Sequence, residues 1–305
     1  MRLLVTGASG LLGLNLSLVA TAQGQRVTGL VHSRSLRGAP FTLQQVDLLE
    51  TNHALEVIEA AEPDAIIHCA AIANLNAAEK KPELAWQLNA IVPGNLAEAA
   101  QRWKVPFIHI STDAVFNGNE GGYVETDPPN PLSVYARSKL GGERAVQRAN
   151  PNALIARVVF YGWSLSGERS LSEFFFNNLM AGDTVKGFTD TRFCPLYVED
   201  LAESLLEMLK AGLNGIYHVV SPENISKYEF GVHIAKRFGF EPDLIVPTES
   251  EQVGRGAPRS LNLILNPEKA QAALGHPLPS IQAGIDRLYR RWKAGYDLQL
   301  QRFRT

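Results

Sequence analysis

Thr6-Gly7-Ala8-Ser9-Gly10-Leu11-Leu12-Gly13 joins an apolar run, residues 3–6, to a helical pattern over residues 11–22. Each glycine has a physical task at this spacing. Gly7 permits a tight turn, Gly10 lets backbone approach a pyrophosphate closely, and Gly13 lets the helix pack against the strand. The first N–H groups of that helix then face an anion. Such a loop is weak by itself and strong between a strand and a helix, which is its context here. The stretch predicts a dinucleotide site, with Gly7, Ser9, Gly10, Leu11, Leu12 and Gly13 around the pyrophosphate.

Outward from the loop the alternation continues. Strands are expected at 26–31, 41–46, 65–69, 107–111 and 153–159, and helices at 51–62, 82–103 and 133–148, with Pro93 kinking the second. Nearly continuous apolar strands between helices imply a parallel sheet covered on both faces. The fold class is therefore α/β, a doubly wound (Rossmann) sheet whose ligands lie at the carboxyl ends of the strands. Beyond residue 160 the pattern is irregular. Ser170-x-x-Glu173 and Ser226-x-x-Glu229 are capping boxes, and Asn266-Pro267-Glu268 is a third helix start with proline at the first helical position. Residues 216–220 read as a strand that rejoins the sheet. The chain thus divides into a cofactor domain, 1–160, and a smaller α/β substrate domain, 161–305, lying over the carboxyl edge. The basic, amphipathic stretch 281–304 reads as a solvated surface helix.

Composition narrows the function. The 305 residues carry 29 basic and 31 acidic side chains, a net charge of −2. No general field favours nucleic acid or an anionic membrane. Cys69 and Cys194 are too few and too far apart for a disulfide scaffold or a cysteine-rich zinc site, and fit a reducing cytoplasm. Arg2, residues 11–19 and Ala20-Thr21-Ala22 imitate a secretory signal, but Thr6, Gly7, Ser9, Gly10, Asn15 and Ser17 interrupt it. No apolar run reaches the ~18 residues of a membrane span. A cytoplasmic protein with a small-molecule partner is expected, with no metal site. His68 and His109, inside apolar strands, read as core histidines, and Cys69 as a small buried residue.

The second strand is followed by His32-Ser33-Arg34. An NAD site usually places an acid there for the ribose 2′-hydroxyl. Arg34, with Arg37, suits a 2′-phosphate instead, so NADP is expected over NAD. Tyr135 and Lys139, four apart at a helix start, share a face. A nearby ammonium lowers a phenol's pKa, and the pair could give a proton to a carbonyl oxygen while hydride arrives from a nicotinamide. The hydroxyls of Ser111 and Thr112, just past an apolar strand, could bond the same oxygen. Arg192 and Arg259 fall in loops of the second half, where two guanidiniums could hold a diphosphate or carboxylate. Phe174-Phe175-Phe176 reads as core or dimer packing, and residues 160–168 as a substrate loop or a packed turn.

The chain resembles the extended short-chain dehydrogenase/reductases, and more closely the dTDP-4-dehydrorhamnose reductases. The matching pieces are the glycine loop, Asp47-Leu48, Ile67-His68-Cys69-Ala70-Ala71, Leu88-Asn89-Ala90, Ser111-Thr112-Asp113-Ala114-Val115-Phe116, Pro-Leu-Ser-Val-Tyr-Ala-Arg-Ser-Lys-Leu-Gly-Gly-Glu from Pro131, Val198-Glu199-Asp200-Leu201-Ala202 and Gly215-Ile216-Tyr217-His218. The resemblance implies a catalytic trio of Thr112, Tyr135 and Lys139. Tyr135 would be the general acid, Lys139 would hold the nicotinamide ribose, and Thr112 would orient the substrate oxygen. It also implies Asp47 and Leu48 at the adenine, Ala70, Ala71 and Asn89 along the cofactor cleft, and Val158 to Phe160 near the nicotinamide. The expected reaction is hydride transfer to a keto group of a nucleotide-linked deoxysugar. Three places depart from the reductase pattern: Ala114 replaces a tyrosine, Asn74-Leu75-Asn76 replaces a loop bearing Asp, and Val158-Val159-Phe160 replaces Thr-Ser-Trp. These look substrate-facing, and Asn76 is the substrate candidate among them. The regulatory β subunit of methionine adenosyltransferase, in the same subgroup, matches at Gln45 to Leu49, at His68 to Ala71 and around Thr191-Arg192-Phe193. It implies the alternative of a nucleotide-binding regulatory subunit. A sugar-nucleotide epimerase or dehydratase is a third reading; a dehydratase would place an acid pair beside Thr112, where Asp113 is present but Ala114 fills the other position.

Overall fold

The computed structural model describes residues 1–33, 36–250 and 256–304. The first half gives strands β1 (Arg2–Thr6), β2 (Arg26–Val31), β3 (Thr42–Gln45), β4 (Ala65–His68), β5 (Phe107–Thr112) and β6 (Leu154–Val158). Between them run helices α1 (Leu11–Ala22), α2 (Thr51–Ala60), α3 (Leu75–Lys80), α4 (Pro82–Trp86), α5 (Val92–Trp103) and α6 (Val134–Ala149). The second half adds β7 (Phe160–Tyr161), α7 (Leu171–Ala181), β8 (Val185–Phe188), β9 (Arg192–Phe193), β10 (Leu196–Tyr197), α8 (Val198–Lys210), β11 (Gly215–His218), β12 (Ile225–Ser226) and α9 (Lys227–Phe238). It closes with β13 (Ile245–Thr248), β14 (Asn262–Leu263), α10 (Glu268–Leu274), α11 (Ile281–Lys293) and α12 (Tyr296–Arg302).

Seven parallel strands form the main sheet in the order β11-β6-β5-β4-β1-β2-β3. The winding reverses at β1, which has β2 on one side and β4 on the other, so the glycine loop opens at the switch point where such sheets take ligands. Every residue of β4, β5 and β6 is buried, which is why these strands read as unbroken apolar runs. As expected, the late strand β11 rejoins the sheet, at its edge beside β6.

Several expectations are corrected. The single kinked helix over 82–103 is α4, a π turn over Gln87–Ile91 and α5. Pro93 supplies no N–H to the Asn89 carbonyl, and the ladder widens at that point. The freed carbonyl faces α6 so closely that a Cβ on Gly142 would lie 2.2 Å from it. Helix α3 was not anticipated, although Asn74 caps it by accepting the Ala77 N–H. Pro267 is the N-cap of α10 rather than its first residue, with Asn266 accepting the Glu268 N–H. Both capping boxes form as the sequence indicated.

The C-terminal stretch is not a solvated helix. Gly295, at φ +73°, divides it into α11 and α12. Ile281, Ile285, Leu288 and Leu300 are buried, each contributing about 1.5–3 kcal/mol. Two of its cations are spent on α8: Arg287 pairs with Glu199, Asp200 and Glu203, and Arg291 with Glu199. One apolar cluster runs from Leu3 to Phe303 and joins both halves of the chain. Among the described residues, no helix is long and apolar enough to cross a membrane.

Candidate active site

The glycine loop is built for close approach. Gly7 takes φ +66°, and a Cβ there would meet the Ala70 backbone at 2.8 Å. A Cβ on Gly13 would lie 2.3 Å from the Gly7 carbonyl, so α1 packs against its own loop. Gly10 donates its N–H to that carbonyl at 2.8 Å and starts α1 without any side-chain cap. No acid occupies the first turn, leaving the positive helix end uncovered, with Ser9, Gly10 and Leu11 half-buried and Leu12 buried. A dinucleotide pyrophosphate fits this cradle. Thr6 fastens its far wall, its hydroxyl accepting the Cys69 and Ala70 N–H groups at 3.2 Å. At the neighbouring strand ends, Asp47 accepts the Leu49 N–H and lies 3.6 Å from His32, while Leu48 is buried in the core. Arg34 lies outside the described residues, and Arg37 is exposed.

The trio gathers where β5 ends. Thr112 is the last residue of β5; its hydroxyl donates to Asp113 at 3.0 Å and accepts the Ala114 N–H. Ser133 caps α6, so Tyr135 stands in the first turn and Lys139 one turn on. The Tyr135 phenol is half-buried and interacts with the Thr112 hydroxyl. The expectation that Lys139 depresses the phenol is corrected. Burial pushes Tyr135 up to about 12, opposed by Thr112, and Lys139 is not among the causes. The ammonium is engaged instead by the Ile110 carbonyl at 2.6 Å and by His109 Nε2 at 3.3 Å. Burial lowers Lys139 to about 8.

A second layer holds these groups. Glu143 and Arg157, both buried, form a bidentate pair with bonds of 3.0 and 2.8 Å. Ser111 donates to the same carboxylate, so its hydroxyl is committed beneath the sheet edge and does not serve a substrate oxygen. Asn89 is likewise saturated: it accepts the Ile72 N–H and donates to the Ile72 carbonyl and to Ser138. It therefore staples the loop after β4 to α6 rather than presenting its amide to the cleft. Val158 is buried in β6, and Phe160 and Ala71 are half-buried at the strand ends. The Cys69 thiol, pushed up to about 12 by burial, is no nucleophile.

In the second half a cavity of about 590 Å³ is lined by Phe174, Phe188, Lys186, Lys227 and Arg259 among others. Arg259 lines this cavity, whereas the Arg192 guanidinium is held by Asn224 at 2.7 Å and lies 3.6 Å from Glu229. Lys227 was missed by the sequence reading, though it follows the cap residue Ser226 directly. Its ammonium lies 5.8 Å from the Phe188 ring centre and acts on Asp113, whose carboxyl burial raises to about 6. Phe174 is exposed, whereas Phe175 and Phe176 are core. Asn76 accepts the Ala257 N–H and so ties α3 to the loop that carries Arg259.

A family model of the RmlD substrate binding domain matches residues 1–293. The chain belongs to the RmlD substrate-binding-domain family. Like other members it has the fold of the extended short-chain dehydrogenase/reductases. The probable low-salt glycan biosynthesis reductase Agl14 of Haloferax volcanii is 36% identical, over 91% of this chain and 94% of that protein. The dTDP-4-dehydrorhamnose reductase of Mycobacterium tuberculosis is 34% identical over 85% and 83%. Methionine adenosyltransferase 2 subunit beta of Bos taurus is 34% identical over 86% and 80%. The crystal structure of Bacillus anthracis dTDP-4-dehydrorhamnose reductase in complex with NADP superposes with a TM-score of 0.85, at 26% identity, over 95% of this chain and 99% of that one.

Proposed function

We propose that the protein is an NAD(P)-dependent reductase that converts a keto group of a nucleotide-linked deoxysugar to an alcohol. The observation that carries this reading is the meeting of Tyr135 and Thr112 at the end of β5, in a chain whose glycine loop is shaped for a pyrophosphate and whose Asp113 is acted on by Lys227 of a cation-edged cavity. When bound, the nicotinamide supplies hydride. Tyr135 holds its proton at the phenol oxygen and releases it to the keto oxygen, while Thr112 orients that oxygen. Lys139 binds the ribose. Lys227 and Arg259 neutralise the sugar-linked diphosphate, and Phe174 and Phe188 flank the base. Residues 1–160 carry the cofactor and 161–305 most of the substrate. The relatives described as dTDP-4-dehydrorhamnose reductases support this assignment.

NADP is proposed over NAD because no acid follows β2 at His32 and Ser33, and Arg34 comes next. Arg34→Ala should then weaken NADPH binding about 10- to 100-fold and leave NADH nearly unchanged, measured by fluorescence titration. Equal losses would remove Arg34 from the 2′-phosphate. The cytoplasm is the proposed compartment, in keeping with two free cysteines. A homodimer belongs to the same proposal, with exposed Trp86, Ile91 and Leu132 as available apolar surface.

The test is turnover. With NADPH and a dTDP-4-keto-6-deoxyhexose, the protein should oxidise the cofactor and form the dTDP-linked 6-deoxyhexose with a 4-hydroxyl. Tight NADPH binding with no oxidation, together with a stoichiometric co-purifying partner, would favour the regulatory-subunit reading that the Bos taurus relative supports.

A further inference from the structure

Lys139 contacts His109, one of two stacked histidines that the proposed chemistry does not use. His68 on β4 and His109 on β5 are register partners, fully buried, with ring centres 5.5 Å apart and planes within 17°. Their tautomers follow from their partners. The Thr6 hydroxyl already accepts two backbone N–H groups, so it donates its own proton to His68 Nδ1 at 2.8 Å. That leaves the His68 proton on Nε2. An ammonium can only donate, so His109 accepts from Lys139 at Nε2 and carries its own proton on Nδ1. Neither His68 Nε2 nor His109 Nδ1 has a partner among the described residues. Burial and the Lys139 charge hold both imidazoles neutral. Gly142 leaves room for this contact, since a Cβ there would already lie 3.3 Å from His109 Nε2.

We propose that His109 is a positioning residue for Lys139: its neutral imidazole accepts a hydrogen bond from one ammonium N–H, the Ile110 carbonyl accepts from a second, and the third is left to donate to a ligand hydroxyl. A lysine on a flexible four-carbon stem is thereby ordered before any ligand arrives. The groups that face Lys139 are His109 from β5, His68 and Cys69 from β4 and the turn after it, and Glu143 from its own helix. Glu143, itself held by Arg157, favours the ammonium, and burial opposes it. Removing the imidazole acceptor tips that balance against the charged form.

The proposal deepens the role assigned to Lys139, but its test uses neither substrate nor cofactor, so it stands or falls apart from the reductase reading. The full-length protein, labelled with ¹³C/¹⁵N-lysine, is titrated by NMR, with Lys139→Arg assigning the signal. His109→Gln keeps an acceptor; His109→Phe removes it while filling the space. Lys139 should titrate together in the wild type and His109→Gln, and about one pH unit lower in His109→Phe. His109→Leu repeats the comparison should the phenylalanine variant not fold. An unchanged titration in the apolar variants, or an equal fall with glutamine, would overturn the proposal.

Discussion

Tyr135 carries its proton throughout the neutral range, because burial holds the phenol up to about 12. A protonated phenol is the form that an acid toward a keto oxygen requires, so the site needs no lysine-depressed tyrosine before the ligand binds. His68 shows the opposite shift, lowered to about 3 by burial. A depressed histidine contributes stability above the unfolded value of 6.5 and loses it as pH falls toward 3, by about 1.4 kcal/mol per unit. In urea melts, the stability gap between the wild type and His68→Asn should therefore narrow by that slope below about pH 6.5; parallel curves would refute it. At this scale local spacing and the family resemblance together singled out Gly7, Gly10, Gly13, Thr112, Tyr135 and Lys139 in the sequence. They could not disclose that Ser111 answers Glu143, 32 residues on, or that Asn89 answers Ile72, 17 back. Those bonds exist only once β5, α6 and the loop after β4 are assembled.

At the scale of elements, the contact between α6 and the π turn sets where Tyr135 and Lys139 stand. Two opposing effects meet at Gly142. Alanine there would gain about 1 kcal/mol of helix propensity, but its Cβ would press on the Asn89 carbonyl at 2.2 Å. Overpacking against backbone costs about 1–3 kcal/mol and outweighs the gain. Gly142→Ala should lower the thermal midpoint; a rise would show that α6 has room to shift. The element order was largely legible, because buried parallel strands and capped helices carry strong local signals. The division of 82–103 was legible only as a kink at Pro93, since the widened register depends on the carbonyl that proline leaves free. The fate of 281–304 was misread because amphipathic periodicity gives the face that is buried, not how much of the basic face finds partners. Here Glu199, Asp200 and Glu203 of α8 take up Arg287 and Arg291.

Across the whole molecule, the two halves meet in Asn15. Its amide donates to the Leu11 and Trp163 carbonyls, and its oxygen accepts from Tyr296 at 2.9 Å. Helix α1, the segment after β7 and the C-terminal α12 are thereby joined at one buried side chain. Tyr296→Phe would strand that oxygen and should cost about 1–3 kcal/mol in chemical denaturation; no loss would show that the link is redundant. Long-range closure of this kind has no sequence signature, although the family's fold does. In the proposed reaction Tyr135 is the acid of a reductase. Tyr135→Phe isolates that role, with kcat for the dTDP-4-keto-6-deoxyhexose and the NADPH dissociation constant measured together. Turnover should fall about 10²- to 10⁴-fold with NADPH affinity nearly unchanged; a variant that turns over like the wild type would remove Tyr135 from the proton transfer.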